Sequence, residues 1–357
     1  MFETFGFETL TPQQAAILFG LLLGIAFGAL AEVTKFCIRR GIVGAQAERR
    51  PALGVWLIAL ASAVIGTQLA LASGVISFDA HRFLAADLPW LAIIIGGLLF
   101  GAGMVLTRGC VSRLTVLSGT GNLRAFMVLL VFAFVAHATL KGVLAPIRTT
   151  LGAFTLPMGD MVTLANLPGG AAFWSTAIVV GVGAVVWRSG ARPLHLALAA
   201  LLGLLVPAAW LSTGFVLFDE FDPIVMESLS FTSPAAETLF WGVASTSIPA
   251  GFGVGLLGGV VAGALVASLI AGRFVWQSFE SPRQTGRYMG GAVLMGIGGV
   301  LAGGCTVGAG LSGVPTLSLA AILALIAIVV GARLTNGWLG AARYKKAAEQ
   351  PTMYPAQ

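Results

Sequence analysis

Residues 96–110 read GGLLFGAGMVLTRGC, and residues 291–305 read GAVLMGIGGVLAGGC. The two stretches superpose at an offset of 195 residues, which places Gly101 on Gly296, Gly103 on Gly298, Gly109 on Gly304 and Cys110 on Cys305. The same offset pairs Glu32 with Glu227, Phe36 with Phe231 and Cys37 with Thr232. Apolar residues spaced by small ones are what helices need to pack closely inside a bilayer. For Gly96, Gly97, Gly101 and Gly103 that packing role is a sufficient account. It does not account for a Gly-Cys pair closing both stretches.

Working outward, the composition fixes the solvent. Hydrophobic residues make up 57% of the chain and charged residues 10%, with 48 glycines and a mean hydropathy of +0.95. A soluble domain carries roughly 25% charged residues, so this chain is expected in lipid, where glycine is also more frequent. A helix needs about 20 apolar residues to cross the hydrocarbon layer. Nine segments satisfy that length, near 13–34, 52–76, 88–107, 123–145, 170–187, 193–216, 249–272, 288–303 and 317–337. The expected fold class is an all-α integral membrane protein with about nine transmembrane helices plus short re-entrant helices.

The basic residues give the topology. Loops after odd-numbered spans hold 17 Lys and Arg, and the other side holds only Arg82, Lys141 and Arg148. Basic residues mark cytoplasmic loops, so the expectation is an outer N-terminus and a cytoplasmic C-terminus. Four spans precede the fifth and four follow it, so the fifth turns the second repeat over. That is the inverted-repeat plan of many secondary transporters, with the substrate at the repeat interface. The expected organisation is a single membrane domain over 1–357: repeat one at 13–146, a linking span at 170–187, repeat two at 193–337 and a cytoplasmic tail at 338–357. The first residues, MFETFGFETLTPQQ, contain no Lys or Arg. A signal peptide requires a basic start, so none is expected. The net charge of +6 is scattered singly and in pairs, which argues against a nucleic-acid partner.

Chemistry is carried by few residues. The three cysteines, Cys37, Cys110 and Cys305, form no C-x-x-C and no metal-ligand spacing, so free thiols are expected. His81, His137 and His195 share no helix face, and no G-x-x-x-x-G-K-[ST] is present. No metal, cofactor or catalytic group is expected. Each cysteine falls at a break between apolar runs. Cys305 lies in GGCTVGAGLSGVPT, inside a stretch from Tyr288 to Ala332 without a charge. An irregular backbone is tolerated at membrane depth only where protein or a watery cavity satisfies it. A loop dipping inward is expected there, and its counterpart is GCVSRLTVLSG from Gly109. Gly109, Gly303, Gly304 and Arg108 support these two loops. SIPAG at 247–251 breaks the uncharged stretch from Thr238 to Gly272 into a short re-entrant helix and a full span. Residues Gly41 to Gln46 are its counterpart. Helix starts at such breaks aim free N–H groups inward, where they suit an anion. The alternative for each cysteine is a buried small hydrophobe. Thr232 is a candidate contact at the outer side, or a helix cap ahead of Ser233 and Pro234.

With FCIRRG at 36–41, GGLLFGAGMVLTRGC at 96–110 and GIGGVLAGGCTVGAGLSG at 296–313, the chain resembles the YeeE/YedE family of bacterial sulfur-compound transporters from its first span to its ninth. The resemblance implies nine spans with short helices, an inverted repeat, and Cys37, Cys110 and Cys305 along a narrow passage in the bacterial inner membrane. It implies uptake of thiosulfate, or of a related sulfur or selenium anion, relayed by weak S–H···S contacts and not by an enzyme reaction. Arg108 departs from the family pattern, which has a small residue there, as Gly303 is in the second repeat. Two other readings stand beside this one. In the first, a cysteine persulfide passes sulfur to a cytoplasmic sulfur-carrier protein, with Arg108 near Cys110 and Lys35, Arg39 and Arg40 near Cys37 as the basic groups. In the second, the chain is a scaffold whose cysteines have no role. The acids Asp219, Glu220, Asp222, Glu227 and Glu237 in a stretch without a basic residue count against an anion at the outer mouth, unless they lie at its rim.

Overall fold

The computed structural model describes residues 11–79, 81–219 and 224–349. The N-terminal stretch through Leu10, the acids Glu220 and Asp222, and the tail from Gln350 lie outside the described residues. The first half contains helices α1 (Pro12–Thr34), α2 (Ile38–Val43), α3 (Gln46–Ala72), α4 (Trp90–Leu106), α5 (Val111–Gly119), α6 (Leu123–Lys141) and α7 (Ala145–Gly152). The second contains α8 (Gly170–Trp187), α9 (Pro193–Leu211), α10 (Thr232–Ala244), α11 (Phe252–Ile270), α12 (Pro282–Leu301) and α13 (Leu319–Glu349). Local chemistry sets several of these starts. Thr11 and Gln14 close a capping box on α1, with Pro12 at the first helical position. Asn122 accepts from the Ala125 N–H to begin α6, and Ser281 followed by Pro282 begins α12.

Among the described residues nine helical segments are long and apolar enough to cross a membrane, and they fall on the nine expected runs. The chain is a multi-pass membrane protein. Two starts move by six residues. The second span begins at Gln46 and not near 52, because its polar first turns are helical and Glu48 pairs with Arg40 at 3.0 Å. The eighth begins at Pro282 and not at 288, because the Ser281 cap adds a turn and a half carrying Arg283 and Arg287. The expected inward loop after Cys305 is also corrected. Residues Thr306–Gly313 form a π-helix and Val314–Thr316 a 3-10 turn, all of them buried. A loop there would leave its N–H and C=O groups with neither water nor partner.

The packing has an internal correspondence. Helix α1 lies against α11, and α3 lies against α9; α4 lies against α13, and α12 against α6. Helix α10 touches α6 and α11, while α2 touches α13 and α3; α4 and α12 touch each other. Each contact is matched by another when α1 to α6 exchange with α9 to α13 and the π-helix. Helix α8 stands at the periphery against α3, with Val182 its only buried residue.

Glycines bring these helices to backbone distance. A Cβ on Gly20, Gly24 or Gly28 would meet the carbonyl oxygens of Phe252, Leu256 and Val260 on α11. A Cβ on Gly255, Gly259 or Gly263 would meet those of Ile17, Leu21 and Ile25 on α1. No side chain intervenes, so neither backbone can yield without moving the whole helix. Two adjacent glycines on α11 test this. Gly259→Ala should destabilise the protein by about 2 kcal/mol, because overpacking cannot be relieved. Gly258→Ala, with nothing within 4 Å of its Cβ, should be neutral or stabilising by up to ~1 kcal/mol. Thermal unfolding in detergent, monitored by size-exclusion recovery, separates the two; equal behaviour would remove the close-approach argument.

Candidate functional site

Each cysteine occupies the residue just before a short helix. Helix α1 ends at Lys35 in the left-handed region (φ 52), the chain turns extended, and Cys37 precedes α2. Helix α4 ends at Thr107, whose hydroxyl donates to the carbonyls of Gly103 and Gly109, both at 2.9 Å. Arg108 is left-handed (φ 61), and Cys110 precedes α5. Helix α12 ends at Ala302, Gly303 is left-handed (φ 73), and Cys305 precedes the π-helix, its Sγ accepting from the Gly308 N–H at 3.3 Å. A helix start leaves N–H groups without intrahelical partners. In all three places those groups open beside a thiol.

The three thiols are free and buried, at 4%, 2% and 0% exposure for Cys37, Cys110 and Cys305. Cys37 and Cys110 face each other. Cys110 lies 3.1 Å from the Ser112 hydroxyl and beside Thr306. Cys305 is beside Thr232 and the Phe231 backbone. The hydroxyls of Thr232 and Thr306 are both buried with no hydrogen-bond partner among the described residues. Such a group costs about 1–3 kcal/mol, and here one lies beside Cys305 and the other follows it in the chain. The line runs Thr232, Cys305, Thr306, Cys110, Cys37. Thr232 is the first residue of α10, whose cap position is Phe231, so it does not act as the helix cap. Thr306 and Ser112 were not singled out from sequence; adjacency to Cys305 and a two-residue step from Cys110 were the available signals.

The supporting residues separate by role. Gly304 is required where it is, since a Cβ would lie 2.8 Å from the Ala309 nitrogen. Gly303 is required by its φ. A Cβ on Gly109 would meet the Leu114 side chain at 3.3 Å and the Arg113 Cβ at 3.9 Å. Arg108 takes the left-handed conformation that its repeat partner Gly303 takes freely, and its side chain is exposed.

A cavity of about 570 Å³ opens over Cys305, lined by Arg82, Glu227, Ser230, Ser233, Glu237 and Gly308 among others. Gly308 both lines it and donates to the Cys305 thiol. The acids Glu227 and Glu237, expected in a stretch without a cation, therefore meet Arg82, which comes from a turn about 145 residues earlier. Burial and the nearby Glu237 raise the Glu227 carboxyl to about 7, against a smaller lowering by Arg82. Burial also raises Glu237. Burial, then Arg82, lowers His81 to about 4, so His81 is neutral and Arg82 is the cation of this chamber.

Below the thiols, Glu32 is 6% exposed and pairs with Arg113 at 3.2 Å and Arg273 at 3.7 Å. Arg113 also donates to the Ala31 carbonyl at 3.2 Å. The charges of Arg113 and Arg39 act on Cys37; the Arg39 Nε is buried and without a partner among the described residues. No group of three His, Cys, Asp or Glu able to hold a metal occurs among the described residues.

The family model described as "Sulphur transport" matches residues 33–334. The chain is similar to the thiosulfate transporter TsuA of Escherichia coli K12, at 23% identity over 94% of this chain and 98% of that protein. It is similar to the thiosulfate transporter TsuA of Spirochaeta thermophila, at 26% identity over 90% of this chain and 98% of that protein.

The buried Glu32–Arg113 pair joins α1 to α5. Removing one partner of a buried pair leaves an uncompensated charge, at about 3–5 kcal/mol. Glu32→Ala should lower stability by ~3 kcal/mol, and Glu32→Ala with Arg113→Ala should recover at least ~1 kcal/mol of it. Unfolding of the four proteins in detergent measures the coupling, and strict additivity would show that the pair is not a unit.

Proposed function

The chain belongs to the sulphur transport (YeeE/YedE) family, and from that membership we propose that it carries thiosulfate, or a closely related small sulfur-containing anion, inward across a bacterial inner membrane. The observation that carries the proposal is the buried line of Cys305, Cys110 and Cys37, each at the open N–H end of a short helix. The two TsuA proteins similar along the chain's length support the choice of substrate.

On this reading the anion enters past Thr232, then meets Cys305, Cys110 and Cys37 in turn. A thiol is a weak donor and its sulfur a weak acceptor. Weak, closely spaced contacts let an ion enter and leave, which conduction requires. The unpartnered hydroxyls of Thr232 and Thr306 supply donors between thiols. Gly303 and Gly304 hold the backbone that sets Cys305, Gly109 does so for Cys110, and Arg108 adds charge at the inner rim. No bond is made or broken, so the protein is a conduit and not an enzyme. The matched helix contacts support two repeats, 13–146 and 193–337, joined by the span at 170–187 and followed by the tail at 338–357. The distribution of basic residues supports an outer N-terminus and a cytoplasmic C-terminus.

One observation favours a second reading. Arg113 and Arg39 beside Cys37 are the cations that a reactive thiolate uses. In that case Cys37 attacks the outer sulfur of thiosulfate, sulfite leaves, and the persulfide is handed to a cytoplasmic sulfur-carrier protein. Mass spectrometry of the protein after thiosulfate exposure would show the added sulfur only under this second reading.

Uptake of radiolabelled thiosulfate into proteoliposomes tests the conduit. Cys110→Ala and Cys305→Ala each remove a contact of about 1 kcal/mol at a narrow step, so each should slow uptake by roughly fivefold to tenfold with insertion intact. Wild-type rates in both would make the cysteines core filler. An impermeant thiol reagent added outside should modify an engineered Thr232→Cys first, Cys305 more slowly and Cys37 last, with thiosulfate protecting Cys305. Labelling of Cys37 before Cys305 would reverse the path.

A further inference from the structure

The three thiols are not equivalent. Cys37 and Cys110 are in side-chain contact with each other. Cys305 is in contact with a hydroxyl, that of Thr232. The repeat relates these two contacts. An offset of 195 residues carries Cys110 onto Cys305 and Cys37 onto Thr232. One half of the molecule therefore builds a thiol–thiol pair where the other builds a thiol–hydroxyl pair. The placement is alike in both. One partner precedes a short helix, Cys110 before α5 and Cys305 before the π-helix. The other stands at the start of a second short helix, Cys37 at α2 and Thr232 at α10.

Two thiols in contact can be oxidised to a disulfide, whereas a thiol and a hydroxyl cannot. The surroundings of the Cys37–Cys110 pair suit that chemistry. The charges of Arg113 and Arg39 act on Cys37, and such cations are what a reactive thiolate requires. Cys110 is placed as the second sulfur, since its other side-chain partners, Ser112 at 3.1 Å and Thr306, are hydroxyls. The pair is also held in register. Arg113, on the first turn of α5, donates to the Ala31 carbonyl and to Glu32, at 3.2 Å each. That ties the segment after Cys110 to the end of α1, just ahead of Cys37. Both sulfurs are buried, so only a small oxidant reaches them.

We propose that Cys37 and Cys110 form a reversible disulfide that closes the path, and that Thr232 keeps the equivalent outer pair from closing. The closure rests on the transport reading above; the bond does not. With hydrogen peroxide as oxidant, the Cys37 thiolate attacks one oxygen, the O–O bond breaks, and the departing hydroxide takes a proton to become water. The Cys110 sulfur then attacks the Cys37 sulfenic acid, the S–S bond forms, the S–O bond breaks, and a second water leaves with the Cys110 proton. Two thiols and one peroxide thus give a disulfide and two waters. Neither sulfur keeps a proton to donate, and the bond fills the space between them. A dithiol reverses the step by exchange, taking the bond as its own disulfide and returning both protons. On the orientation proposed above, Cys37 lies toward the cytoplasm, where thiols are kept reduced and the bond can be reopened. Thr232 lies toward the oxidising side, where a second dithiol would stay shut.

The protein in proteoliposomes is titrated with hydrogen peroxide, its remaining thiols are blocked, and it is denatured and cut with trypsin. Trypsin releases Cys37 in Phe36–Arg39, Cys110 in Gly109–Arg113 and Cys305 in Tyr288–Arg333. The first two peptides should appear linked, lighter by two hydrogens than their sum, and should separate on adding dithiothreitol. Thiosulfate uptake should be lost in proportion to the link and return on reduction. Cys305→Ala should keep the link, and Thr232→Cys should add a second one, to the Tyr288–Arg333 peptide. Absence of the link, a sulfinic acid on an unlinked Cys37, or linkage of Cys37 or Cys110 to Cys305 in the unsubstituted protein would overturn the pair. Uptake that persists in fully linked protein would overturn closure. A Thr232→Cys protein without the second link would overturn the role given to Thr232. A protein that forms the link but takes up no thiosulfate when reduced would refute the transport reading and support the disulfide.

Discussion

A backbone N–H at the start of a helix has no partner inside that helix, and in lipid it cannot borrow one from water. Most membrane helices avoid the difficulty by starting at the surface. This chain starts helices in its interior, after Cys37, after Cys110, after Cys305 and at Thr232. The arrangement is tolerable only because protein surrounds every one of these starts, and it leaves their donors along one interior line. The thiols sit at the heads of three of these helices, so the fold's costliest feature and its candidate path coincide. A side chain there must be small enough to stay within the break and soft enough not to capture the visitor. Cysteine meets both conditions.

The glycines serve the same constraint from outside. Interior breaks stay dry only if the surrounding helices approach closely. The α1 and α11 backbones meet through six glycines, and Gly101 and Gly331 do the same for α4 and α13. A sheath at this spacing cannot widen locally, since each clash is with a carbonyl and not with a side chain.

What the sequence disclosed follows from range. The nine spans were legible because hydropathy is local. The motif glycines were correctly assigned to packing for the same reason: Gly96, Gly97, Gly101 and Gly103 all approach a partner helix. The π-helix after Cys305 was not legible. Its glycines and Pro315 signal a loop locally, and only burial forces the backbone to bond to itself. Arg82 was counted as a minority charge on its side of the membrane, while Glu227 and Glu237 appeared to lack a cation. Their meeting spans about 145 residues, and no periodicity carries such information. The Glu32 pair with Arg113 was hidden likewise, across 81 residues. Thr306 escaped notice because its character lies in what it lacks, a hydrogen-bond partner.

Two near-equivalent halves would make a conduit without preference for either direction. The departures from equivalence all fall on the proposed path. Thr232 stands where the offset would put a counterpart of Cys37, Gly303 stands against Arg108, and Glu227 lacks the arginines that hold Glu32. At the Cys37 end Arg39, Arg108 and Arg113 gather near Cys37 and Cys110, while the chamber over Cys305 is lined by a single arginine and two acids. On the proposed path an anion would pass from a chamber holding both acids and a base to a region of positive charge. The charge at the Cys37 end is carried by guanidinium groups that remain charged in proteins. On this argument the repeat builds two similar halves, and the residues that break the repeat make the two ends of the proposed path chemically different.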